Sequence, residues 1–346
     1  MKNLKISICI PQYNRINYLI RVLESIRHQT YKNIEILISD DFSSDSTQSE
    51  ILNYLSNFDL DLKYFRQDKN IGYDANLRFS MGMASGDYLL ILGNDDSLSE
   101  SKSIQNLVDF ISRLKILPAV VICNYHEYSD PGTLIERVNV SNIIGTGPVV
   151  ALNNFRKFSF VGGLVFNRHQ FKKYDTNIFD GSIYVQIYLG AKIVASGGYL
   201  AGFMDSLVAK DVVVNGVPPD RFIDKLGSQN KRLSFKCGGL DKVGFVAYEA
   251  IAPTWKSSNE ELKFKIFRQI LVTSYAYWLF SYRKQGVYVA AINLALGCYP
   301  GILTSGVSCS RLTKLRLAGI HVVVSFFGLF APLVALEKLK IFLLKK

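Results

Sequence analysis

"LLILGNDDS", Leu89 to Ser97, runs four apolar residues into a glycine, an amide and two neighbouring carboxylates. The apolar run reads as a strand covered on both faces, with the glycine as its stop. Asp95 and Asp96 then stand side by side at the tip, where like charges repel unless a cation or a shared proton intervenes. A charged turn and a cation site explain this stretch equally well. The segments around it decide between them.

Upstream, "KISICI" (Lys5 to Ile10) is a β-branched strand closed by Pro11, and "NIEILIS" (Asn33 to Ser39) is a second strand. Between them Leu19, Val22, Leu23 and Ile26 fall at i, i+3, i+4 and i+7, which predicts a helix over Asn17 to Gln29. A polar helical stretch with Ile51, Leu52 and Leu55 precedes a third strand, "LKYFRQ". Ala75, Phe79 and Met83 repeat at helical spacing before the strand Tyr88 to Leu92, and "AVVIC" (Ala119 to Cys123) is a further core strand. The alternation predicts an α/β fold, a Rossmann-like, mostly parallel sheet with helices on both faces. Beyond Cys123 the pattern weakens among glycines and aromatics. A boundary is expected between residues 235 and 236, with a helical region over 236–346.

In open parallel sheets ligands bind beyond the carboxyl ends of the strands. "PQYNR", "SDDFSSDS" and "GNDDS" each follow a strand, so their loops are expected to line one cleft. Paired carboxylates there suit Mg²⁺ or Mn²⁺, completed by a diphosphate and water. The formal net charge of +11 calls for an anionic partner: a phosphorylated substrate, an anionic membrane or nucleic acid. Nucleic acid fits worst, because the cations gather toward the tail instead of interleaving with aromatics on one face. Five cysteines without C-x-x-C spacing suggest neither a disulfide framework nor a metal site, and read as reduced thiols of a cytosolic protein. Pro11 arrives too early for a secretory signal core.

"ICIPQYNR", "ISDDFSSDST" and "NIGYDANLRFSMGMASGDYLLILGNDD" together resemble the family 2 glycosyltransferases of the GT-A fold, over about residues 4 to 100. The spacing of "NIG" from "ASGDY" and the "LGNDD" ending look most like bacterial O-antigen transferases of the abequosyltransferase type. The resemblance implies that Pro11 and Tyr13, with Asn14 and Arg15 in the same loop, flank the donor's base and ribose. It implies that Asp41, with its neighbour Asp40, accepts hydrogen bonds from them. Asn70 and Gly72 would shape the loop over the diphosphate. Asn94 fills the first place of the family's D-x-D, leaving Asp95 and Asp96 as metal carboxylates, with Asp96 at the metal's usual position. Two departures stand out. Phe42 replaces the usual glycine, and Asn76-Leu77 does not reproduce the frequent Ala-Arg-Asn, so the diphosphate's cationic partner falls to Arg78 or Arg15.

Such a site implies a single inverting displacement, a metal neutralising the departing nucleotide and a general base activating the acceptor hydroxyl. The family's E-D pair has no clean copy. "FDGSIYVQIYLGAKI" (Phe179 to Ile193) occupies the matching region, making Asp180 the candidate base, with Ser182 where the acid would fall. Asp205, Asp211, His126 and His169 are rivals. "FVGGLVFNR" (Phe160 to Arg168) is expected to floor the acceptor side, its glycines leaving room for a sugar.

The last third is different. "VYVAAINLALGCYPGILTSGVSCS" and "LAGIHVVVSFFGLFAPLVAL" (Leu317 to Leu336) carry no charged residue, and the second approaches the length of a bilayer span. Arg311, Lys314 and Arg316 lie between them, and Lys338, Lys340, Lys345 and Lys346 follow. A two-span hairpin would set the basic connection outside, against the positive-inside tendency. Helices lying in the plane keep every cation on the anionic leaflet, worth about 1 kcal/mol per residue. Peripheral or monotopic attachment at the cytoplasmic face of the inner membrane is therefore expected, with a soluble apolar subdomain as the alternative. An undecaprenyl-diphosphate-linked saccharide acceptor is what the resemblance implies. A non-catalytic membrane scaffold and a Mg-dependent nucleotidyltransferase are the competing functions; the latter would need a glycine-rich basic loop that "PQYNRINY" lacks.

Overall fold

Ile6, Ile8 and Ile10 are fully buried in one hydrophobic cluster, while Cys9, between them, is buried on the other side of the same strand. This strand, β1 (Ile6–Gln12), runs parallel to β2 (Ile34–Asp40) and β4 (Tyr88–Ile91), and β2 runs parallel to β3 (Asp61–Arg66). The computed structural model describes residues 3–55, 60–219 and 236–334. The chain forms two units, Met1–Pro219 and Asp220–Lys346. The boundary expected between residues 235 and 236 falls beside residues 220–235, which lie outside the described ones.

The first unit is built on a sheet of ten strands in the order β3-β2-β1-β4-β9-β6-β10-β5, with β7 on β6 and β8 on β10. Beyond the parallel β1–β4 part, β9 (Leu164–Asn167) enters antiparallel between β4 and β6 (Val120–Glu127). β10 (Leu200–Lys210) runs parallel to β6, and β5 (Ser97–Leu98) pairs antiparallel with β10. The remaining two, β7 (Asp130–Ile135) and β8 (Asn142–Gly145), are short, β7 largely exposed and β8 largely half-buried. The amphipathic helices α1 (Ile16–Arg27) and α4 (Ser103–Arg113) bury Leu19, Val22, Leu23, Ile26, Leu107 and Ile111 in the cluster of Ile6, Ile8 and Ile10. Two more helices are α2 (Thr47–Leu55) and α3 (Tyr73–Gly82); α3 packs on β1 and β2 with Leu77 and Met81 outside that cluster, on the opposite face. Helices α5 (Pro148–Asn154), α6 (Arg168–Tyr174) and α7 (Val185–Ala195) complete the unit.

One buried charge ties the parallel strands together. Glu35, fully buried in β2, accepts hydrogen bonds from Ser7 Oγ, the Ser85 amide and hydroxyl and the Gly86 amide, and pairs with Lys5 and Lys63. Burial disfavours its charge, but these donors outweigh burial and hold its pKa well below the ordinary 4.5.

The second unit is helical: Leu240–Ile251, Asn259–Ile270, Ala276–Lys284, Tyr288–Gly297, Pro300–Leu303 and Arg311–Phe330. The last helix begins earlier than its apolar run. Ser310 caps it through the Thr313 amide, and Glu260 accepts from Ser310 N and Thr313 Oγ1, so Arg311, Lys314 and Arg316 occupy its first turns instead of a loop. Its inner stripe is tied down along its length. Arg316 lies 3.8 Å over the Phe264 ring, His321 Nε2 is 2.8 Å from the Ala295 carbonyl, Tyr275 bonds Ser325, and Arg283 donates to the carbonyls of Gly328 and Ala331. Its outer stripe, with Leu312, Leu315, Val322, Val323, Phe326 and Phe330, is exposed. Among the described residues it is the one helix long and apolar enough to cross a membrane. The lysines from Lys338 onward lie outside the described residues.

Candidate active site

The carboxyl ends of β1, β2 and β4 lie at one edge because the strands run parallel in a register that pairs Gln12 with Asp40 and Cys9 with Ile91. Their polar tails therefore converge. Gln12 is the hidden centre of this edge: its carbonyl accepts from the Asp41 and Asn76 sides, its Nε2 donates to Thr47, and its Oε1 accepts from Asn94 at 2.8 Å.

At the tip of β4, Asp96 is buried between two glycines. A Cβ at Gly93 would lie 2.7 Å, and one at Gly162 2.6 Å, from Asp96 Oδ2. A side chain at either place would force the carboxylate to move. Asp95 is ion-paired with Arg15 from the start of α1. The chain after β10 closes the group, with Asp211 N donating to Asp96 Oδ1 at 3.2 Å and Val212 N to the Asp95 carbonyl at 2.8 Å. Three carboxylates thus share one corner. Burial first, then Asp95 and Asp211, push the Asp96 carboxyl well above the ordinary range. Burial and Asp211 push Asp95 up too, against Arg15 and Lys210. Lys210 binds Asp211 at 2.8 Å and Glu127 at 3.4 Å. Tyr73, at the head of α3, feels both Asp95 and Asp96.

Among the described residues no three His, Cys, Asp or Glu groups form a complete protein cage for a metal. Mg²⁺ and Mn²⁺ do not ask for one; one or two carboxylates with substrate phosphates suffice. Repelling hard oxygens on Asp95 and Asp96, one of them strongly buried, fit such an ion.

The second strand's acids are engaged with the protein. Asp40 accepts from the Ser43 amide and hydroxyl and from Tyr64 OH at 2.6 Å. Asp41 accepts from Ile71 N at 2.6 Å and Gly72 N at 3.1 Å, and so shapes the loop before α3. Asn70 joins that loop by bonding the Asp41 carbonyl and Gly72 N. Gly72 has φ +83°, which favours glycine. A carboxylate has about four acceptor positions, so Asp41 keeps capacity for a ligand. Asn14, at φ 48°, bonds Ser44 N and Asp45 N, stitching the first loop to the second. Pro11 lies within β1 and Tyr13 is exposed beyond it. Phe42, where the family has glycine, keeps a left-handed φ of 62° and lies under Arg66 at 4.2 Å.

The segment bearing Asp180 is fixed to α3 at two places. Arg78 holds Asp180 in a two-bonded fork, 2.9 and 2.8 Å, and Asp175 at 2.9 Å. Asp74 accepts from Ile183 N and Val185 N at 2.6 and 3.1 Å. Ser182 Oγ accepts from Tyr184 N at 3.0 Å and donates a long bond to Asp74, His126 Nδ1 faces Ser206 at 2.7 Å, and Asp205 and His169 are exposed. Gln12, Tyr73 and Lys210 were not singled out by sequence; Gln12 and Tyr73 stood inside quoted motifs, while nothing local marks Lys210.

The family model for Glycosyl transferase family 2 matches residues 7–178. The chain belongs to glycosyltransferase family 2. This family 2 chain is 27% identical to the abequosyltransferase RfbV of Salmonella typhimurium over 315 residues, 85% of its own length and 84% of that protein's. It is 38% identical over 95 residues to the GalNAc(5)-diNAcBac-PP-undecaprenol beta-1,3-glucosyltransferase of Campylobacter jejuni, which is 27% of this chain and 30% of that one. Its fold matches S. aureus TarS 1-349, solved with UDP, at TM-score 0.62 and 14% identity, covering 94% and 91% of the two chains. It matches the mannosyltransferase PcManGT of Pyrobaculum calidifontis, solved with GDP-Man and Mn²⁺, at TM-score 0.51 and 15% identity, covering 95% and 88%. The fold of the family 2 glycosyltransferase is therefore GT-A.

Proposed function

We propose that this glycosyltransferase moves a sugar from a nucleotide-diphosphate sugar to a lipid-linked saccharide during bacterial O-antigen or related surface-polysaccharide synthesis. The reading rests on one observation: Asp95 and Asp96 crowd at a buried strand tip beside the loops that follow β1 and β2. Asp96, with Asp95, would hold Mg²⁺ or Mn²⁺, which supplies Lewis-acid neutralisation of the leaving diphosphate. Pro11, Tyr13, Asn14, Arg15, Asp40, Asp41, Asn70, Gly72 and Asn94 line or brace the donor's place. Asp180 takes the acceptor's proton once Arg78 releases it, and a single displacement inverts the anomeric centre. The relatives named for abequose transfer and for an undecaprenol-linked substrate support this donor and acceptor class.

Attachment follows from the Arg311–Phe330 helix. Its inner stripe is bonded along its length to its own unit, so its exposed apolar stripe meets lipid lying flat, with Arg311 and Lys314 toward anionic headgroups. In this reading the enzyme works as a monotopic protein on the cytoplasmic face of the inner membrane, which the exposed apolar stripe supports. A panel of nucleotide sugars, incubated with lipid-linked acceptors with and without EDTA, tests the reading. Nucleoside diphosphate is expected only with a divalent ion, and not from the Asp96→Ala variant.

A further inference from the structure

Arg137, Arg156 and Lys157 stand together without an acid. Arg137, in the segment after β7, donates to the Gly162 carbonyl at 2.9 Å and the Lys157 carbonyl at 2.7 Å, with its guanidinium 5.6 Å from the Phe160 ring. Arg156 and Lys157 sit on the short helical turn Phe155–Phe158, anchored by the buried Phe155 and Phe158 rings. Among the described residues no carboxylate pairs with any of the three. The Nε atoms of Arg137 and Arg156 are buried and lack a hydrogen-bond partner. Burial pushes Arg137 down to about 10 and lowers Arg156; burial, then Arg156 and Arg137, lower Lys157.

Partly buried cations with no counter-charge are costly, and an anion brought by a ligand offsets that cost. The place of the cluster narrows the anion. Gly162 offers its carbonyl to Arg137 while its Cα lies against Asp96 Oδ2. One glycine therefore separates the cationic cluster from the carboxylate pair. In the proposed reading the donor's diphosphate belongs with the cation at Asp95 and Asp96, so a second anion-binding site beside Gly162 serves the second substrate.

We propose that Arg137, Arg156 and Lys157 form a phosphate site for the acceptor, gripping the diphosphate of a prenyl-diphosphate-linked saccharide. The proposal rests on the transferase reading above and adds how the lipid carrier is recognised. Arg137, bonded to two backbone carbonyls, fixes the wall; the side chains of Arg156 and Lys157 are partly exposed and, among the described residues, hold no backbone carbonyl, so they supply the adjustable contacts.

The test uses the full chain in EDTA, with farnesyl diphosphate, farnesol and phosphatidylglycerol vesicles as probes. Arg156→Gln and Lys157→Gln, singly and together, are compared with the charge-keeping pair Arg156→Lys and Lys157→Arg and with Asp96→Ala. The double Gln variant is expected to bind farnesyl diphosphate about tenfold more weakly or worse, as lost charge-assisted bonds imply. Farnesol binding stays unchanged, the charge-keeping pair retains the diphosphate, and Asp96→Ala binds it as the wild type does. Unchanged diphosphate binding in the double Gln variant overturns the proposal. So does diphosphate binding lost only in Asp96→Ala, which puts the anion at the donor's place. Loss of vesicle binding with diphosphate binding intact assigns the cluster to lipid headgroups and also overturns it. Failure of the transferase reading has a separate signature: no nucleoside diphosphate from any nucleotide sugar, whatever these titrations show.

Discussion

The tips of the parallel strands and the Arg311–Phe330 helix break the same rule in opposite directions. At the tips, charged groups are buried: Asp96 lies under glycines and Asp40 is fully enclosed. On the helix, large apolar groups are exposed, with Phe326 at 60% and Phe330 at 72%. Buried charge needs a compensating cation or donor, and exposed apolar area needs a covering surface. The proposed function assigns these two violations to two partners of different chemistry, an ion with its nucleotide and a lipid.

Asp96→Ala separates the two regions most sharply. It should lower kcat/KM at least about 10³-fold, since it removes electrostatic stabilisation of the leaving group, while vesicle binding stays intact. A loss of vesicle binding in the same variant would merge the regions and break the comparison.

Asp180→Asn comes next. Removing a general base should lower kcat by about 10²-fold, with donor KM little changed. Arg78→Gln, which frees Asp180 from its fork, should cost far less in kcat. Equal losses in the two variants would make the pair a brace and remove Asp180 from the chemistry.

On the apolar side, Phe326→Ser with Phe330→Ser should weaken binding to anionic vesicles by tenfold or more, taking about 1.5–3 kcal/mol for each buried Phe as a ceiling. Turnover on a soluble acceptor should not change. Unaltered flotation with vesicles would mean that another protein covers this stripe.

The smallest effect concerns the brace beneath the tips. Glu35→Gln should cost about 2–3 kcal/mol by leaving Lys5 and Lys63 without their buried partner. Because the folded pKa of Glu35 is depressed, the stability it supplies is full above the ordinary 4.5 and is lost as pH falls toward the folded value. Melting curves should show the wild type losing stability below that pH and the variant losing less.

The strands β1, β2 and β4 were legible because each is buried on both faces and so reads as a largely apolar run, as in "KISICI" and "LLIL", whereas β3 at the sheet edge alternates exposed and half-buried residues. β7 was not: "DPGTLI" is nearly all exposed and carries Pro131 and Gly132, so no periodicity marks it. β10 is interrupted by irregular pairing between Phe203 and Val208, which breaks its alternation. At the site, Asp95 and Asp96 announced themselves by adjacency. The residues that enclose them come from β10 and the Gly162 wall, far along the chain, and only the sheet order brings them near. Phe42 shows the reverse case, a departure visible in sequence whose consequence needed coordinates: the turn keeps its left-handed backbone at a cost of about 1 kcal/mol or more, with Arg66 stacked on the ring. The start of the last helix was not legible because hydropathy marks only the apolar run from Leu317, whereas Ser310 and Glu260 cap Arg311, Lys314 and Arg316 into its first turns.

The most direct measurement is release of nucleoside diphosphate from a panel of nucleotide sugars, run on wild type and Asp96→Ala with Mn²⁺ and with EDTA. The account predicts release from one donor in the wild type with Mn²⁺ alone. Release that persists undiminished in EDTA and in Asp96→Ala would contradict it.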